Sequence, residues 1–362
     1  AGGHGTGPLT VVDGLFQDNT STTGIGGALY GGSSAIISGT NFISNTSGGD
    51  GGALFVLVTL EVSDSLFEGN GCTATSCDGG AVFAFSQSSF ATTTFVDNVA
   101  QDNGGAISAA GLVEVTGSQF VENHSLFNSG GALAASGEVA ISGTTFVGNT
   151  ARSDGGAADI DAVLTLEDGV FQENRSLLTQ GGGLTVHGEA TIRTTRFSAN
   201  EAPHGGGVAN RGTTTLVDSV VDANLGTSGA GIVSSQALTI VNSTVSGNHA
   251  LEDGGGLWNE GGTTNWHNVT IAANVADADG NGSGEGGGVL TTGTVTLWNS
   301  IVAGNSDHSP TTVHPDCSGS LTSQGFNLIQ SLGGCSVLGD PSGNVTGVSP
   351  SLGPLQDNGG AT

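Results

Sequence analysis

The chain has 362 residues, of which 36% are hydrophobic, so it is long enough to bury a core. Its 32 acidic side chains are opposed by only five basic ones, all arginine, which gives a formal charge of −27. We expect so anionic a chain to repel nucleic acid and anionic membrane surfaces, and no apolar run reaches the roughly 18–20 residues of a membrane span. Nucleic acid and direct membrane insertion are therefore not predicted.

An apolar-x-x-Asn phrase followed by Gly-Gly recurs along most of the chain, as in "FVDNVAQDNGGAI" at 95–107. The glycine pairs follow one another at intervals of about 25 residues, the signature of a repeat architecture. The apolar residue is Phe in the first eight copies and Val or Ile in the last four. The twelve asparagines are Asn19, Asn45, Asn70, Asn98, Asn123, Asn149, Asn174, Asn200, Asn224, Asn248, Asn274 and Asn305.

Each period contains short strands and no helix. "LVEVTGSQF" at 112–120 and "EVAISGTTF" at 138–146 alternate apolar with small polar residues, and glycine-rich turns separate such runs. A unit of about 25 residues with two or three short strands fits one coil of a parallel β-helix. The sequence therefore predicts an all-β solenoid of about 12 coils.

Stacking of coils explains the repeated phrase. Equivalent residues of adjacent coils would lie about 4.8 Å apart, so the phenylalanines would form an internal column and the asparagines an amide ladder. The glycine pair would supply a turn with positive φ and little room for a Cβ atom. The twelve asparagines are therefore predicted to be structural.

The four cysteines form two local pairs, Cys72 with Cys77 and Cys317 with Cys335, and their spacings match neither a zinc site nor a redox motif. Two disulfides and an oxidising, extracytoplasmic compartment are the prediction, and four reduced cysteines are the alternative. The repeat stops after Asn305. We predict a single domain with repeats over 1–305 and a disulfide-closed C-terminal cap over 306–362.

The longest interval between glycine pairs contains an acidic loop, "DADGNGSGE" at 277–285. Oxygen-bearing side chains at alternate positions followed by glycine resemble the first half of a Ca²⁺ loop, although Gly288 stands where the bidentate carboxylate is expected. The sequence thus offers a candidate Ca²⁺ site, against the alternative of an acidic surface loop. Its ligands would be Asp277, Asp279, Asn281, Ser283 and Glu285.

Two weaker candidate sites remain. A mixed set of nitrogen and oxygen donors in the segment 307–316 could suit a transition metal, and Asp159 with Asp161 could form a carboxylate pair of the kind that cleaves polysaccharides. For both, chance surface acids are the favoured alternative, so no catalytic residue is predicted. The donors of the first set are Asp307, His308, His314 and Asp316.

The phrases "GGAL", "GGAV" and "GGAI", alternating with "FISN", "FEGN", "FVDN" and "FVGN", resemble the repeats of polymorphic outer-membrane proteins such as the chlamydial adhesins. The tail "NSIVAGNS…DCSGSLTSQGFNLIQS" resembles the end of choice-of-anchor bacterial surface proteins. The resemblance implies a right-handed parallel β-helix that is secreted and displayed at the cell surface.

The predicted function is that of a non-enzymatic structural or adhesive rod. Its expected partners are other copies of itself, in a head-to-tail filament, or a host or cell-surface glycan or protein. The alternative is a β-helix that binds or cleaves polysaccharide. Against the alternative stands the small number of aromatic residues suited to sugar stacking, with one tyrosine and three tryptophans.

Overall fold

The computed structural model describes residues 3–5, 7–310, 313–353 and 355. The chain forms two compact units, Ala1–Thr179 with Gly183–Gly188 (unit 1) and Gln180–Gly182 with Glu189–Thr362 (unit 2). Each unit is a parallel β-solenoid, and together they contain about 13 turns. No described residue lies in a helix, and so no helix of the described chain could cross a membrane. The predicted all-β solenoid is confirmed.

In unit 1, strands of successive turns pair in parallel and form four sheets, which we name A to D in chain order. Sheet A contains Gly3–Gly5, Leu29–Gly31, Leu54–Val56, Val82–Ala84, Ile107–Ala109, Leu133–Ala135, Ala158–Ile160 and Leu184–Val186. Sheet B contains Leu9–Val12, Ala35–Ser38, Leu60–Ser63, Ser88–Ala91, Val113–Thr116, Val139–Ser142 and Leu164–Glu167. Sheet C contains Leu15–Gln17, Asn41–Ile43, Leu66–Glu68, Thr94–Val96, Gln119–Val121, Thr145–Val147 and Val170–Gln172. Sheet D contains Thr20–Ser21, Thr46–Ser47, Gly71–Cys72, Val99–Ala100, His124–Ser125, Thr150–Ala151 and Arg175–Ser176.

Unit 2 repeats this arrangement. Its sheet A contains Val208–Asn210, Ile232–Ser234, Leu257–Asn259 and Val289–Thr291, and its sheet B contains Glu189–Arg193, Thr213–Val217, Leu238–Val241, Thr263–His267 and Thr294–Trp298. Sheet C contains Arg196–Ser198, Val220–Asp222, Thr244–Ser246, Thr270–Ala272, Ile301–Ala303, Leu328–Ile329 and Val345–Thr346. Sheet D contains Glu201–His204, Leu225–Ser228, His249–Ala250, Val275–Ala276 and Ser306–Asp307. The longer strand Cys317–Gln324 extends sheets A and B and pairs with Cys335–Asp340.

A column of stacked phenylalanine rings runs through the interior of unit 1. The rings are nearly parallel, and the centroids of successive rings lie between 4.6 Å and 5.0 Å apart. This separation matches the spacing of parallel strands, so each ring covers the next and the aromatic contact adds to the buried area. The rings of the column belong to Phe16, Phe42, Phe67, Phe95, Phe120, Phe146 and Phe171.

The repeated asparagines form hydrogen-bonded ladders inside both units. The side-chain amide of Asn98, for example, donates to Oδ1 of Asn123 at 2.9 Å and to the carbonyl of Phe67 at 2.9 Å. The backbone N–H of Asn98 donates to the same Oδ1 atom at 3.1 Å. Each fully buried amide therefore has partners in the turns before and after it, which removes the cost of an unpaired buried polar group.

The two glycines of the pair are each needed for a separate steric reason. Gly104 has φ +66°, a left-handed conformation that residues with a Cβ atom adopt much less readily than glycine. A Cβ atom on the next glycine, Gly105, would lie 2.0 Å from the carbonyl oxygen of Gly131 in the following turn. A Cβ atom on Gly104 would also lie 2.1 Å from the carbonyl oxygen of Ile107. The first glycine is thus required by the backbone of its own turn and the second by the close approach of the following turn.

Both predicted disulfides are present. Cys72 is joined to Cys77 and Cys317 to Cys335, with Cα atoms 6.0 Å and 5.5 Å apart. The second bond links the two long strands that follow the last regular turn of unit 2. The proposed cap over 306–362 remains a prediction, and residues 311–312, 354 and 356–362 lie outside the described residues.

We expect Gly105→Ala to lower the free energy of unfolding by about 3 kcal/mol or more, because its methyl group would meet backbone that cannot move aside. Gly117 is the matched control: it has φ +56°, but a Cβ atom there would meet nothing within 4 Å. Gly117→Ala should therefore cost only about 1–2 kcal/mol, from backbone conformation alone. Urea unfolding followed by circular dichroism measures both, and equal losses would contradict the assigned role of Gly105.

Candidate functional site

The outward side of sheet A in unit 1 carries a column of side chains that differs from turn to turn. It begins with three stacked rings: Tyr30 lies 5.8 Å from Phe55, and Phe55 lies 5.0 Å from Phe83. The next two turns place only the small side chains Ser108 and Ala134 in register with these rings. The column ends in the polar residues Asp159 and Thr185, and its buried members are Phe55, Ser108 and Thr185. We name it the sheet A face: Tyr30, Phe55, Phe83, Ser108, Ala134, Asp159 and Thr185.

A hydrogen-bonded carboxylate and imidazole stand at the end of this face. Asp159 occupies the middle of strand Ala158–Ile160, and His187 follows directly after Leu184–Val186, the strand of the next turn. Oδ1 of Asp159 lies 3.0 Å from Nε2 of His187. The Asp159 side chain is 14% exposed and that of His187 34%, so the pair is partly buried but open to solvent on the imidazole side.

The carboxylate of Asp161 also lies close to the imidazole of His187. Asp161 and His187 occupy equivalent positions in adjacent turns, since their backbone N–H groups donate to the carbonyls of Ala135 and Ile160 respectively. The ligand atoms of Asp159, Asp161 and His187 lie within 4.8 Å of one another, and we name these three residues the Asp–His group. In the described part of the chain, they are the one set of three His, Cys, Asp or Glu side chains placed closely enough to share a metal ion.

Asp154 lies at the edge of the Asp–His group. Its Oδ2 atom is 4.0 Å from Nε2 of His187, and its Oδ1 atom accepts a hydrogen bond from Thr179 at 2.6 Å. The hydroxyl of Thr179 thereby orients the carboxylate of Asp154 towards the imidazole. Three acidic residues therefore surround one histidine at this end of the face.

The local environment changes the proton affinity of the pair. Burial raises the pKa of the Asp159 carboxyl above its ordinary value, although the hydrogen bond to His187 opposes this effect. The hydrogen bond to Asp159 raises the pKa of His187, and the charges of Asp159, Asp161 and Asp154 act in the same direction. The protonated imidazole is therefore favoured by its neighbours.

The structure does not bring the carboxylates of Asp277, Asp279 and Glu285 close enough to one another to share an ion. The carboxylate of Asp277 is buried and accepts the backbone N–H of Gly282, at 3.0 Å and 3.2 Å from its two oxygens. Asp279 binds the side-chain amide of Asn281, whose own oxygen accepts the N–H of Ser283. These oxygens are used to shape the loop, and calcium binding there stays a prediction.

Glu285, the fifth predicted ligand, has its side-chain partners outside the loop. Its Oε2 atom accepts a hydrogen bond from the hydroxyl of Ser318 at 2.7 Å and lies 3.5 Å from Nδ1 of His314. Glu285, Ser309 and residues 282–284 line a cavity of about 390 Å³ together with Glu252 and Asp253. This cavity is acidic, and the structure gives no third side chain that would complete a metal site with Glu285 and His314 among its described residues.

The donors of the segment 307–316 are also separated. Asp307 uses both carboxylate oxygens to accept backbone N–H groups, from Ser309 at 2.9 Å and from His314 at 2.7 Å. His308 is exposed. Asp316 lies in the core, where it contacts the asparagine ladder and not the other three donors.

Asp316 ends the asparagine ladder of unit 2. Its Oδ1 atom accepts the side-chain amide of Asn305 at 2.9 Å, and its Oδ2 atom accepts the backbone N–H of Ser331 at 2.7 Å. A carboxylate accepts at both oxygens, whereas an asparagine there would turn one N–H group towards another. Burial raises the pKa of Asp316, against the effect of these hydrogen bonds.

The three tryptophans do not form a common platform. Trp266 is 1% exposed and belongs to the core of unit 2, whereas Trp298 is 41% exposed and contacts His267 edge-on. Trp258 lies on the outward side of sheet A in unit 2 and contacts His204. The aromatic stack of the sheet A face is instead formed by Tyr30, Phe55 and Phe83.

Sequence reasoning identified Asp159 and Asp161 but missed the aromatic stack, Asp154 and His187. A signal for the stack was present, because the residue after "GGAL" or its equivalent is Tyr30, Phe55 and Phe83 in three successive copies. The same position holds Asp159 in a later copy. Reading this one position down the repeats would have exposed the whole face.

A repeat of the Chlamydia polymorphic membrane protein matches residues 92–110, which include a phenylalanine, an asparagine and a glycine pair of the columns described above. The predicted resemblance to these proteins is thereby confirmed. Together with the two disulfides, this match fits a surface protein outside the cytoplasm. No curated protein matches the chain.

Among solved structures, two enzyme modules from Azotobacter vinelandii match. The A-module of the mannuronan C-5 epimerase AlgE4 is 11% identical with TM-score 0.39, over 88% of this chain and 90% of that chain. The A-module of the epimerase AlgE6 is 11% identical with TM-score 0.35, over 97% of this chain and 91% of that chain. This finding corrects the prediction that the protein is not an enzyme. Enzymes and other proteins both have the solenoid architecture, so the architecture does not distinguish them. At this identity, the likeness concerns the fold alone.

Replacing Asp316 tests its place at the end of the ladder. Because the pKa of Asp316 is raised in the folded state, its contribution to stability is greatest below the unfolded pKa and is lost as the pH rises through the folded pKa. The difference in unfolding free energy between the wild type and Asp316→Asn should therefore decrease as the pH rises from acidic to neutral. Urea unfolding across this pH range measures the difference, and a difference that grows with pH would contradict the raised pKa of Asp316. Equal stability of the two proteins at every pH would contradict its place at the end of the ladder.

Proposed function

We propose that the protein is an extracellular surface solenoid that binds a polysaccharide along the sheet A face of unit 1. The observation that carries this proposal is the order of side chains on that face. Stacked aromatic rings are followed by two turns of small side chains and then by the Asp–His group. Such a face combines an apolar platform with hydrogen-bonding groups, as carbohydrate recognition requires.

A linear ligand fits the spacing of these features. Phe83 and Asp159 are three turns apart, which corresponds to about 14 Å at the spacing of parallel strands. A sugar chain lying along the solenoid could stack one ring against Phe83, pass over Ser108 and Ala134, and reach the Asp–His group. Extended polymers with a repeating unit suit a surface whose own residues repeat at regular intervals.

The charge of the face favours an uncharged glycan. Asp154, Asp159 and Asp161 lie close to a single histidine, and the whole chain carries a formal charge of −27. Carboxylates at such a site accept hydrogen bonds from sugar hydroxyls and repel the acidic groups of uronates or sulfated sugars. We therefore propose a neutral polysaccharide as the ligand class.

A second candidate function is cleavage or modification of the bound polysaccharide. The observation in its favour is that the Asp159–Asp161 pair, which the sequence already suggested for glycoside cleavage, lies beside His187 at the end of the face. The other expected partners, namely further copies in a filament or a host protein, remain predictions that no described contact supports.

Phe83→Ala should weaken binding of cellohexaose or xylohexaose by up to about tenfold, since one aromatic contact contributes about 0.5–1.5 kcal/mol. Phe127→Ala is the matched control, because Phe127 is 54% exposed in unit 1 but lies outside sheet A. A glycan array followed by isothermal titration calorimetry measures both variants. Oligogalacturonate, which is anionic, should not bind.

Loss of binding in both variants, or loss of binding in neither variant, would contradict the assigned face. Preference for oligogalacturonate would contradict it as well. The second candidate requires a separate assay for new reducing ends or altered sugars after incubation with the wild-type protein. A wild-type protein that binds a glycan and leaves it unchanged would exclude the second candidate and keep the first.

A further inference from the structure

We propose that Asp159, Asp161 and His187 bind one divalent transition-metal ion of the Zn²⁺ type. The ligands would be a carboxylate oxygen from each aspartate and a ring nitrogen of the histidine. This metal site goes beyond the proposed glycan-binding function and does not depend on it. It lies wholly within unit 1.

The solenoid itself holds the three ligands in place. Asp159 belongs to a strand of sheet A, Asp161 follows that strand by one residue, and His187 occupies the position of Asp161 in the next turn. Their ligand atoms already lie within 4.8 Å of one another. Zinc bonds of 2.0–2.1 Å in tetrahedral geometry place two ligand atoms about 3.3 Å apart, so small side-chain rotations would bring the three atoms onto one ion.

The carboxylate of Asp159 provides an independent reason to expect a cation. Its side chain is only 14% exposed, and its one hydrogen-bond partner among the described residues is His187, which contacts Oδ1. Oδ2 has no hydrogen-bond donor among the described residues and keeps some contact with solvent, so it is free to bind an ion that approaches from outside. A buried carboxylate normally has a paired charge or coordinates a metal.

The ligand types select the class of ion. Imidazole nitrogen suits Zn²⁺ and its neighbours in the first transition series, whereas Ca²⁺ takes six to eight oxygen ligands. The Oδ2 atom of Asp154 lies 4.0 Å from the same Nε2 atom of His187, so its negative charge adds to the attraction of this place for a cation. Three protein ligands leave a coordination position open, and His187 and Asp161 are exposed on the solvent side.

The test is isothermal titration calorimetry of chelator-treated full-length protein with Zn²⁺ and, separately, with Ca²⁺, in the absence of glycan. We expect one Zn²⁺ per chain at the Asp–His group, with affinity reduced at least about tenfold by His187→Ala and by Asp161→Asn. The control is His249→Ala, which removes another exposed histidine from sheet D of unit 2. Circular dichroism and melting temperature verify that each variant is folded.

Zinc binding that is unchanged in His187→Ala and Asp161→Asn, or lost in His249→Ala, would overturn the proposal, and so would the absence of zinc binding at micromolar concentrations in the wild type. Stronger binding of Ca²⁺ than Zn²⁺ to the wild type, abolished by Asp279→Asn, would assign the metal to the loop 277–285 instead. Because the titrations contain no glycan, their failure leaves the polysaccharide proposal intact, and failure of the glycan arrays leaves the metal site intact.

Discussion

The close spacing of parallel turns is the constraint on which the rest of this structure depends. At about 4.8 Å, every side chain meets its own equivalent in the next turn, so only groups that are compatible with copies of themselves can be buried in columns. Phenylalanine satisfies this condition by stacking, and asparagine by donating and accepting at once. A carboxylate accepts without donating, which explains why Asp316 stands where the ladder of unit 2 ends.

The same register also aligns the outward side chains in columns. On the outer surface, however, neighbouring side chains of a column do not need to be identical. On the sheet A face, one repeat position holds an aromatic residue in three turns, small residues in two and an aspartate in the next. Chemical diversity is therefore confined to positions that the core does not use. Departures from the repeat, rather than the repeat, indicate where the candidate site lies.

Charge connects the two proposals for this face. Only five basic residues are present in the chain, and in unit 2 Arg196 and Arg211 are paired with Asp222 and Glu260. A proton on the imidazole or a metal ion would offset the negative charge around His187, and the hydroxyl groups of a ligand would donate hydrogen bonds to the same carboxylates. A neutral sugar chain and a bound cation are compatible with each other at such a place, whereas a polyanion requires the cation first.

The sequence by itself determined the parallel solenoid, the phenylalanine and asparagine columns and the pairing of the cysteines, because these depend on residue types that recur at one interval. Only the tertiary structure decided that Asp159 contacts His187, which lies 28 residues further along the chain. Adjacent turns differ in length, and the alternation of apolar and polar residues along a strand does not show which strands of different turns lie side by side. The structure also decided that Asp277 and Asp279 bind groups of their own loop, because that outcome depends on side-chain rotation within a turn. Regular spacing specifies which residues share a column, and local backbone geometry decides which of their atoms meet.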